Sequence, residues 1–276
     1  MSPARPKRKA KPKPRAAAAA KKPQAARRGA TRVSAVPPAV LAQLNAGLIE
    51  AKTLAESLAV DFGALFGAAF PRAPRAVLTA IQQTRGVGVL ERMRIAGSLL
   101  AGLGAAPIAA ASEHPSDTVR GWAAFATANE APDLAAALQK LKRFADDPNA
   151  GVREWAWMTI RNRVAADAAS AVHQLLPWTA DASPNVRRFA SEATRPRGVW
   201  AAHIPVLTAM PAIGLPILER LRSDDSRYVQ NSVANWLNDA AKDNATWVRS
   251  VTSRWTKESS TAATAYIVKR ALRSLA

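Results

Sequence analysis

The sequence predicts an all-α fold, an α-solenoid of stacked helix pairs behind a disordered basic arm. Three observations predict it. Beyond about residue 38, apolar residues recur at three and four positions and strand-like alternation is absent. One short pattern returns four times along the chain. Positive charge is concentrated at the N-terminus.

The arm comes first. Residues 1–32 hold twelve Lys and Arg and no Asp or Glu, so this stretch alone carries +12. It reads PKRKAKPKPRAAAAAKKPQAARR, lysine, proline and alanine with almost nothing to bury. Such a segment cannot offset its ordering entropy and is expected to be disordered over residues 1–38. A polycation of this kind suits a phosphate backbone through counterion release, without sequence preference. The plainer reading is a solubilising tail or a targeting segment.

The rest of the chain sets broader limits. It holds 27 basic and 20 acidic residues, a net +7. At 276 residues and 49% hydrophobic content it can bury one sizeable core or two small domains. No apolar run is long enough to span a bilayer, so no membrane association is expected. No signal-peptide core follows the basic start, which argues against secretion. The chain has no Cys, which excludes disulfides, thiolate metal sites and a Cys nucleophile. Three scattered histidines (His114, His173, His203) do not make a zinc site, so no metal and no cofactor are expected.

Residues 39–276 read as one helical domain. Gly and Pro fall between the periodic runs, as in LPWTADASPNV and TAMPAIGLPIL. The pattern suggests about twelve to fourteen helices, most of roughly 10–16 residues. Within it, HPSDTVRGWAAF, DPNAGVREWAWM, DASPNVRRFASE and DSRYVQNSVAN align. They place Val119, Val152, Val186 and Val229 at one helix phase, 33, 34 and 43 residues apart. Arg120, Arg153 and Arg187 follow the first three, and Gln230 follows the last. An Asp, Ser or Asn ahead of the Val caps a helix, and the Val opens its buried stripe. A helix pair recurring at this period is HEAT-like. Arg120, Arg153 and Arg187 are read as repeat-to-repeat packing.

Helix phase then identifies a polar face. At about 100° per residue, Val229, Val233, Trp236, Leu237 and Ala240 fall in one arc. Asn231, Ser232, Asn235, Asn238, Asp239 and Lys242 fall opposite. In the preceding repeat that polar arc holds Arg188, Glu192 and Arg195, and one repeat earlier Glu154, Arg161 and Asn162. Glu154, Glu192 and Asp239 are therefore expected to share one face, flanked by arginines, with Trp155, Trp200 and Trp236 at its borders. Arginines and amides suit phosphate contacts. Carboxylates oppose them unless they serve a cation, such as an electron-deficient base or the oxocarbenium sugar formed when a glycosidic bond breaks. The competing reading is an acidic patch that only ties repeats together.

The runs NVRRFASEATRPRGVW (185–200) and YVQNSVANWLNDAAKD (228–243) resemble the AlkC branch of the AlkC/AlkD bacterial alkylpurine DNA glycosylases. The resemblance extends more weakly over LNAGLIEAKTLAESLAVDFGALF (44–66) and covers roughly residues 40–276. It implies a HEAT-like monofunctional glycosylase, without lyase activity, that removes cationic N-alkylated bases from double-stranded DNA. The implied substrates are of the 3-methyladenine class and, in this branch, 3-methylcytosine. The implied catalytic residues are Asp239, Glu192, Glu154 and Trp200. Arg188, Arg195, Arg197, Arg161, Asn235, Asn238 and Lys242 are the expected DNA contacts. In place of the Leu-Pro common in the family before the Trp, this chain has Gly198-Val199. No β-rich segment follows in this sequence, so the immunoglobulin-like domain of some members is expected to be absent. A monomer in the bacterial cytoplasm, associated with the nucleoid, completes this reading. A non-catalytic DNA-binding or nucleoid protein and a protein-binding scaffold are the alternatives.

Overall fold

The computed structural model of the chain describes residues 27–275. Among them are seventeen α-helices, three short 3-10 segments and no strand. This is more helices, and shorter ones, than the periodicity suggests. The apolar stripe continues across breaks that the period does not register, as at Ile160 and Asp167.

An N-terminal group comprises α1 (Pro38–Asn45), α2 (Leu54–Ala59), α3 (Phe62–Ala69) and α4 (Arg75–Gln82). The repeats follow as α5 (Val89–Ala101), α6 (Ala105–Ser112), α7 (Asp117–Asn129), α8 (Leu134–Ala145) and α9 (Ala150–Thr159). Then come α10 (Arg161–Ala166), α11 (Ala168–Leu175), α12 (Pro184–Ala193), α13 (Pro205–Ala209) and α14 (Leu215–Leu221). The chain closes with α15 (Arg227–Ala241), α16 (Ala245–Glu258) and α17 (Ala262–Ala271). Helices α5, α7, α9, α12, α15 and α17 pack successively, each on the one before. They form one layer of an α-solenoid. Helices α6, α8, α14 and α16 pack against them as a second layer.

The recurring pattern has a local mechanism. Asp147, Asp181 and Asp224 each accept a hydrogen bond from the backbone N–H two residues on, bracing the loop before the helix. His114 does the same through Nδ1. The Arg after each Val then donates back to that loop. Arg120 reaches the carbonyls of His114 and Pro115, Arg153 those of Asp147 and Pro148, and Arg187 those of Asp181 and Ala182. Gln230 keeps one such bond, to Asp224 O. Arg120 also pairs with Asp147, and Arg187 with Asp224, which begin the following repeats. Val119, Val152, Val186 and Val229 are all buried beneath these staples. Arg120 and Arg187 thus join one repeat to the next, whereas Arg153 donates instead to the Tyr228 hydroxyl on α15 at 3.3 Å.

Trp236 is a core residue. It is 0% exposed, and its indole packs where Gly214 leaves no room for a Cβ, with Cζ2 2.4 Å from an ideal one. Its indole N–H donates to Thr194 Oγ1 at 3.3 Å.

The arm boundary needs correction. Residues 1–26, and the disorder expected of them, lie outside the described residues. Residues 27–37, read as arm, are attached to the body. Arg27 pairs with the buried carboxylate of Glu56, which also accepts from Ala30 N at 3.0 Å and Lys52 N at 2.8 Å. Burial alone would raise the Glu56 pKa. The Arg27 hydrogen bond dominates and, with the two backbone donors, brings it down to about 2.

Candidate functional site

Glu154, Glu192 and Asp239 stand 2, 6 and 10 residues beyond Val152, Val186 and Val229. Each step adds one helical turn, so stacking α9, α12 and α15 draws the three carboxylates into an oblique row. Two arginines from the middle repeat join them. Arg188 Nη2 lies 2.7 Å from Glu154 Oε1 and 3.2 Å from Glu192 Oε1. Arg195 Nη1 donates to Glu192 Oε2 at 3.0 Å. Its Nε and Nη2 both donate to Asp239 Oδ2, at 3.0 and 2.6 Å. The result is an alternating ladder of five charges across three repeats.

The middle rung is the most enclosed. Glu192 is 2% exposed. Its burial favours the neutral acid, but the Arg188 and Arg195 guanidiniums outweigh that and hold its pKa below the usual carboxylate value. The same carboxylates raise Arg188 and Arg195 against their own burial. Glu154 accepts from the Trp157 indole N–H at 2.9 Å on its other oxygen. Arg188 also lies over the ring of Tyr228, with its Cζ 4.3 Å from the centroid.

Asp239 ends the ladder with its two oxygens unequally used. Oδ2 takes both Arg195 bonds, whereas the charge nearest Oδ1 is Lys242 Nζ at 3.6 Å. A carboxylate fixed by one oxygen can accept a proton or face a cation with the other.

Trp200 reaches the same face on the loop between α12 and α13. Gly198 forms a tight turn there, since a Cβ would lie 2.7 Å from Ala201 O. Beyond it Val199 is 77% exposed and Trp200 44% exposed. The loop is fastened from below by Arg161, which donates to the carbonyls of Ala193 at 3.3 Å, Arg195 at 2.7 Å and Ala202 at 3.1 Å. Burial, reinforced by the nearby Arg195 charge, lowers the Arg161 pKa to about 10.

Several expected DNA contacts are therefore reassigned. Arg161 is 1% exposed and holds the loop. Asn238 is buried and donates to Ala271 O and Ser274 Oγ, joining α15 to the end of α17. Arg188 and Arg195 are committed to the ladder. Arg197 reaches the surface while paired with Asp243 at 2.8 Å. Asn235 accepts from Arg273 at 3.0 Å, and Lys242 is exposed. Trp155 and Trp200 line a cleft of about 470 Å³ together with Glu154, Met158, Leu54 and Val89. Phase counting points to Trp155 but carries no signal for Leu54 or Val89, which belong to distant helices.

Among the described residues, no helix is long and apolar enough to cross a membrane, and no three His, Asp or Glu converge as a metal site.

No protein-family model matches the chain. In structure it is similar to the alkylpurine DNA glycosylase AlkC of Pseudomonas fluorescens, solved bound to DNA containing an abasic-site analogue. The TM-score is 0.63 and the identity 28%, over 78% of this chain and 61% of that one. It also shares its fold with AlkD2 of Streptococcus mutans, with a TM-score of 0.57 and 17% identity over 72% of this chain and 97% of that one. In sequence it is 40% identical over 116 residues to the uncharacterized protein YhaZ of Bacillus subtilis (strain 168), covering 42% of this chain and 32% of YhaZ. The chain thus spans about a third of YhaZ and about three fifths of AlkC.

Proposed function

We propose, taking the chain as a member of the AlkC/AlkD family of helical-repeat proteins, that it is a DNA-repair glycosylase. It hydrolyses the N-glycosidic bond of cationic N-alkylated bases in duplex DNA, of the 3-methyladenine class and 3-methylcytosine. The observation that carries this reading is Asp239, held through Oδ2 by Arg195 with Oδ1 left to act.

The reaction asks little of a general acid. A ring-alkylated purine is already positively charged, and the electron pair of the breaking bond neutralises it as it leaves. Positive charge develops on the sugar, and water attacks C1′. Asp239 stabilises that charge and accepts the water's proton at Oδ1. Glu192 and Glu154 supply negative potential that favours a cationic base over a neutral one. Trp200 packs against the sugar or base. Arg197 and Lys242, at the surface, contact phosphates. No step uses a lysine Schiff base, so the enzyme is monofunctional.

The ladder itself favours a second reading. Each of its three carboxylates has an arginine partner, as an inter-repeat tie would require, and a non-catalytic DNA-binding protein could carry the same ladder. Incubation of the purified chain with methylated duplex, followed by chromatography of released bases, separates the two. The glycosylase reading expects 3-methyladenine to be released and uracil from a U·G duplex to be retained. Duplex binding with no released base supports the non-catalytic reading.

A further inference from the structure

We infer that Arg227, Arg270 and Arg273 form a phosphate-binding platform, which holds the DNA backbone beside Asp239. The inference rests on the proposed DNA-glycosylase reading. It adds which side chains grip the duplex, given that the ladder has taken Arg188 and Arg195.

The three arginines differ from those earlier in the layer. Arg120, Arg187, Arg188 and Arg195 are each neutralised by a carboxylate. Among the described residues, no carboxylate pairs with Arg227, Arg270 or Arg273, whose partners are uncharged. Arg227 lies over the Tyr266 ring with its Cζ 3.6 Å from the centroid, and Arg270 Cζ lies 5.5 Å from the same centroid. Tyr266 is fixed in turn by donating its hydroxyl to Asn231 Oδ1 at 2.7 Å. Arg273 donates to Asn235 Oδ1 at 3.0 Å and to Arg270 O at 2.7 Å.

Such partners orient a guanidinium without cancelling its charge. Stacked on a ring, it keeps its in-plane N–H groups for a second partner. Arg270 Nε is buried and has no hydrogen-bond partner among the described residues. A buried donor left unmade is costly, so an acceptor arriving there is favoured. Three uncompensated positive charges on one face select an anion. A phosphate diester offers oxygens that suit planar donor forks.

Position ties the platform to the ladder. Tyr266, Arg270 and Arg273 fall on one stripe of α17, over about 10 Å at 1.5 Å per residue. Helix α17 packs against α15. Asn235, which holds Arg273, stands one helical turn before Asp239 on α15. Burial and the Arg270 charge lower the Arg273 pKa, and the Asp239 charge opposes them, so Arg273 stands within electrostatic reach of that carboxylate. A phosphate seated on Arg273 brings its strand alongside Asp239.

The test uses the full chain with Arg227→Gln, Arg270→Gln and Arg273→Gln as single variants. Arg220→Gln, at an exposed site on α14 in the second layer, is the equal-charge control. Equal melting temperatures establish that the variants fold. Arg227 is exposed and hydrogen-bonds to nothing described, so it carries the test if either of the others unfolds. The first measurement is a salt titration of affinity for methylated and plain duplex. The second is phosphate-ethylation interference on a duplex with one abasic-site analogue. Each platform variant should flatten the slope of log K against log salt by about 0.9, and weaken binding roughly eightfold at about 0.1 M salt, on both duplexes alike. Arg220→Gln should keep the wild-type slope. Interference should disappear from phosphates flanking the analogue in the platform variants only. Slopes and interference in all three that match Arg220→Gln overturn the inference and leave the glycosylase reading standing. If wild type binds duplex and releases no base, the glycosylase reading fails, and flattened slopes in the three variants still support the platform. A wild-type chain that does not bind duplex overturns both.

Discussion

Arg195 places two hydrogen bonds on one oxygen of Asp239, at 3.0 and 2.6 Å, while its third nitrogen holds Glu192 at 3.0 Å. One guanidinium therefore fixes two carboxylates from adjacent repeats, and its own backbone carbonyl is held in turn by Arg161. Such a fork is what a rigid planar donor set does well and a lysine does poorly. It ties the orientation of Asp239 to the fold of the preceding repeat.

Asp239→Asn should abolish base release and leave duplex binding intact or slightly tighter. The substitution keeps size and shape, retains an oxygen for Arg195, and removes negative charge from the proposed DNA-facing surface. Loss of a preorganised electrostatic group should lower the single-turnover rate on the order of 100-fold or more. Rates within about threefold of wild type would falsify the catalytic role of Asp239.

Arg161→Lys should loosen the Trp200 loop. Arg161 spans three carbonyls, and an ammonium cannot reach all three. With hydrogen bonds to a charged donor contributing about 1.5–3 kcal/mol each, the lost bonds should destabilise the fold by about 3 kcal/mol. Base release should fall although every ladder residue is intact. Denaturant unfolding and the mobility of the Trp200 indole check both parts. Wild-type stability would mean that the carbonyls find other donors.

Helix phase carried much of this site because α9, α12 and α15 are stacked and α15 is unbroken. Counting from the repeat valines brings Glu154, Glu192 and Asp239 to one face, and the ladder distances place them there. The same counting misplaced Arg161, because α9 ends at Thr159 and a new helix begins at Arg161. Phase does not survive a break. Asn238 was misplaced for another reason. Its direction was right, but α17 covers that side of α15. Phase gives the direction of a side chain, not what will lie against it. The cleft was hidden further, since Leu54, Val89 and Met158 carry no shared pattern and meet only in the fold.

Asp117→Asn should stabilise the protein at neutral pH and not at pH 4. Asp117 is buried and accepts a hydrogen bond from Ala51 N at 3.0 Å. Burial, with Glu50 nearby, pushes its carboxyl up to about 6 from 3.8. The folded state thus binds this proton more tightly than the unfolded chain does. Between about pH 4 and pH 6 stability should fall as pH rises, by on the order of 3 kcal/mol in all at about 1.4 kcal/mol per decade. The asparagine keeps an oxygen for Ala51 and escapes that penalty, less the few tenths that a charge gains at the first turn of α7. Urea titrations from pH 4 to 7.5 should show the two proteins diverging through this window. A gap that does not change with pH would assign the effect to packing.

Two truncations should separate the arm from its root. Residues 1–26 carry nine of the twelve positive charges of residues 1–32, since Arg27, Arg28 and Arg32 lie beyond them. Deleting residues 1–26 should leave the melting temperature nearly unchanged, because the root contacts at Arg27 and Ala30 remain. Deleting residues 1–32 should lower it, because Glu56 then stays buried without its guanidinium and without the Ala30 N–H. Both deletions should weaken binding to all duplexes alike. The slope of log K against log salt should become shallower, by at most about 8 for nine charges at roughly 0.9 per phosphate. Release at saturating enzyme should not change on deleting residues 1–26, because Glu154, Glu192, Trp200 and Asp239 all lie in the solenoid. Salt titrations on lesion-bearing and plain duplex, with single-turnover release in parallel, check these outcomes. An unchanged salt slope would mean that the arm does not touch DNA. A large fall in the saturated rate on deleting residues 1–26 would mean that it helps to form the active site.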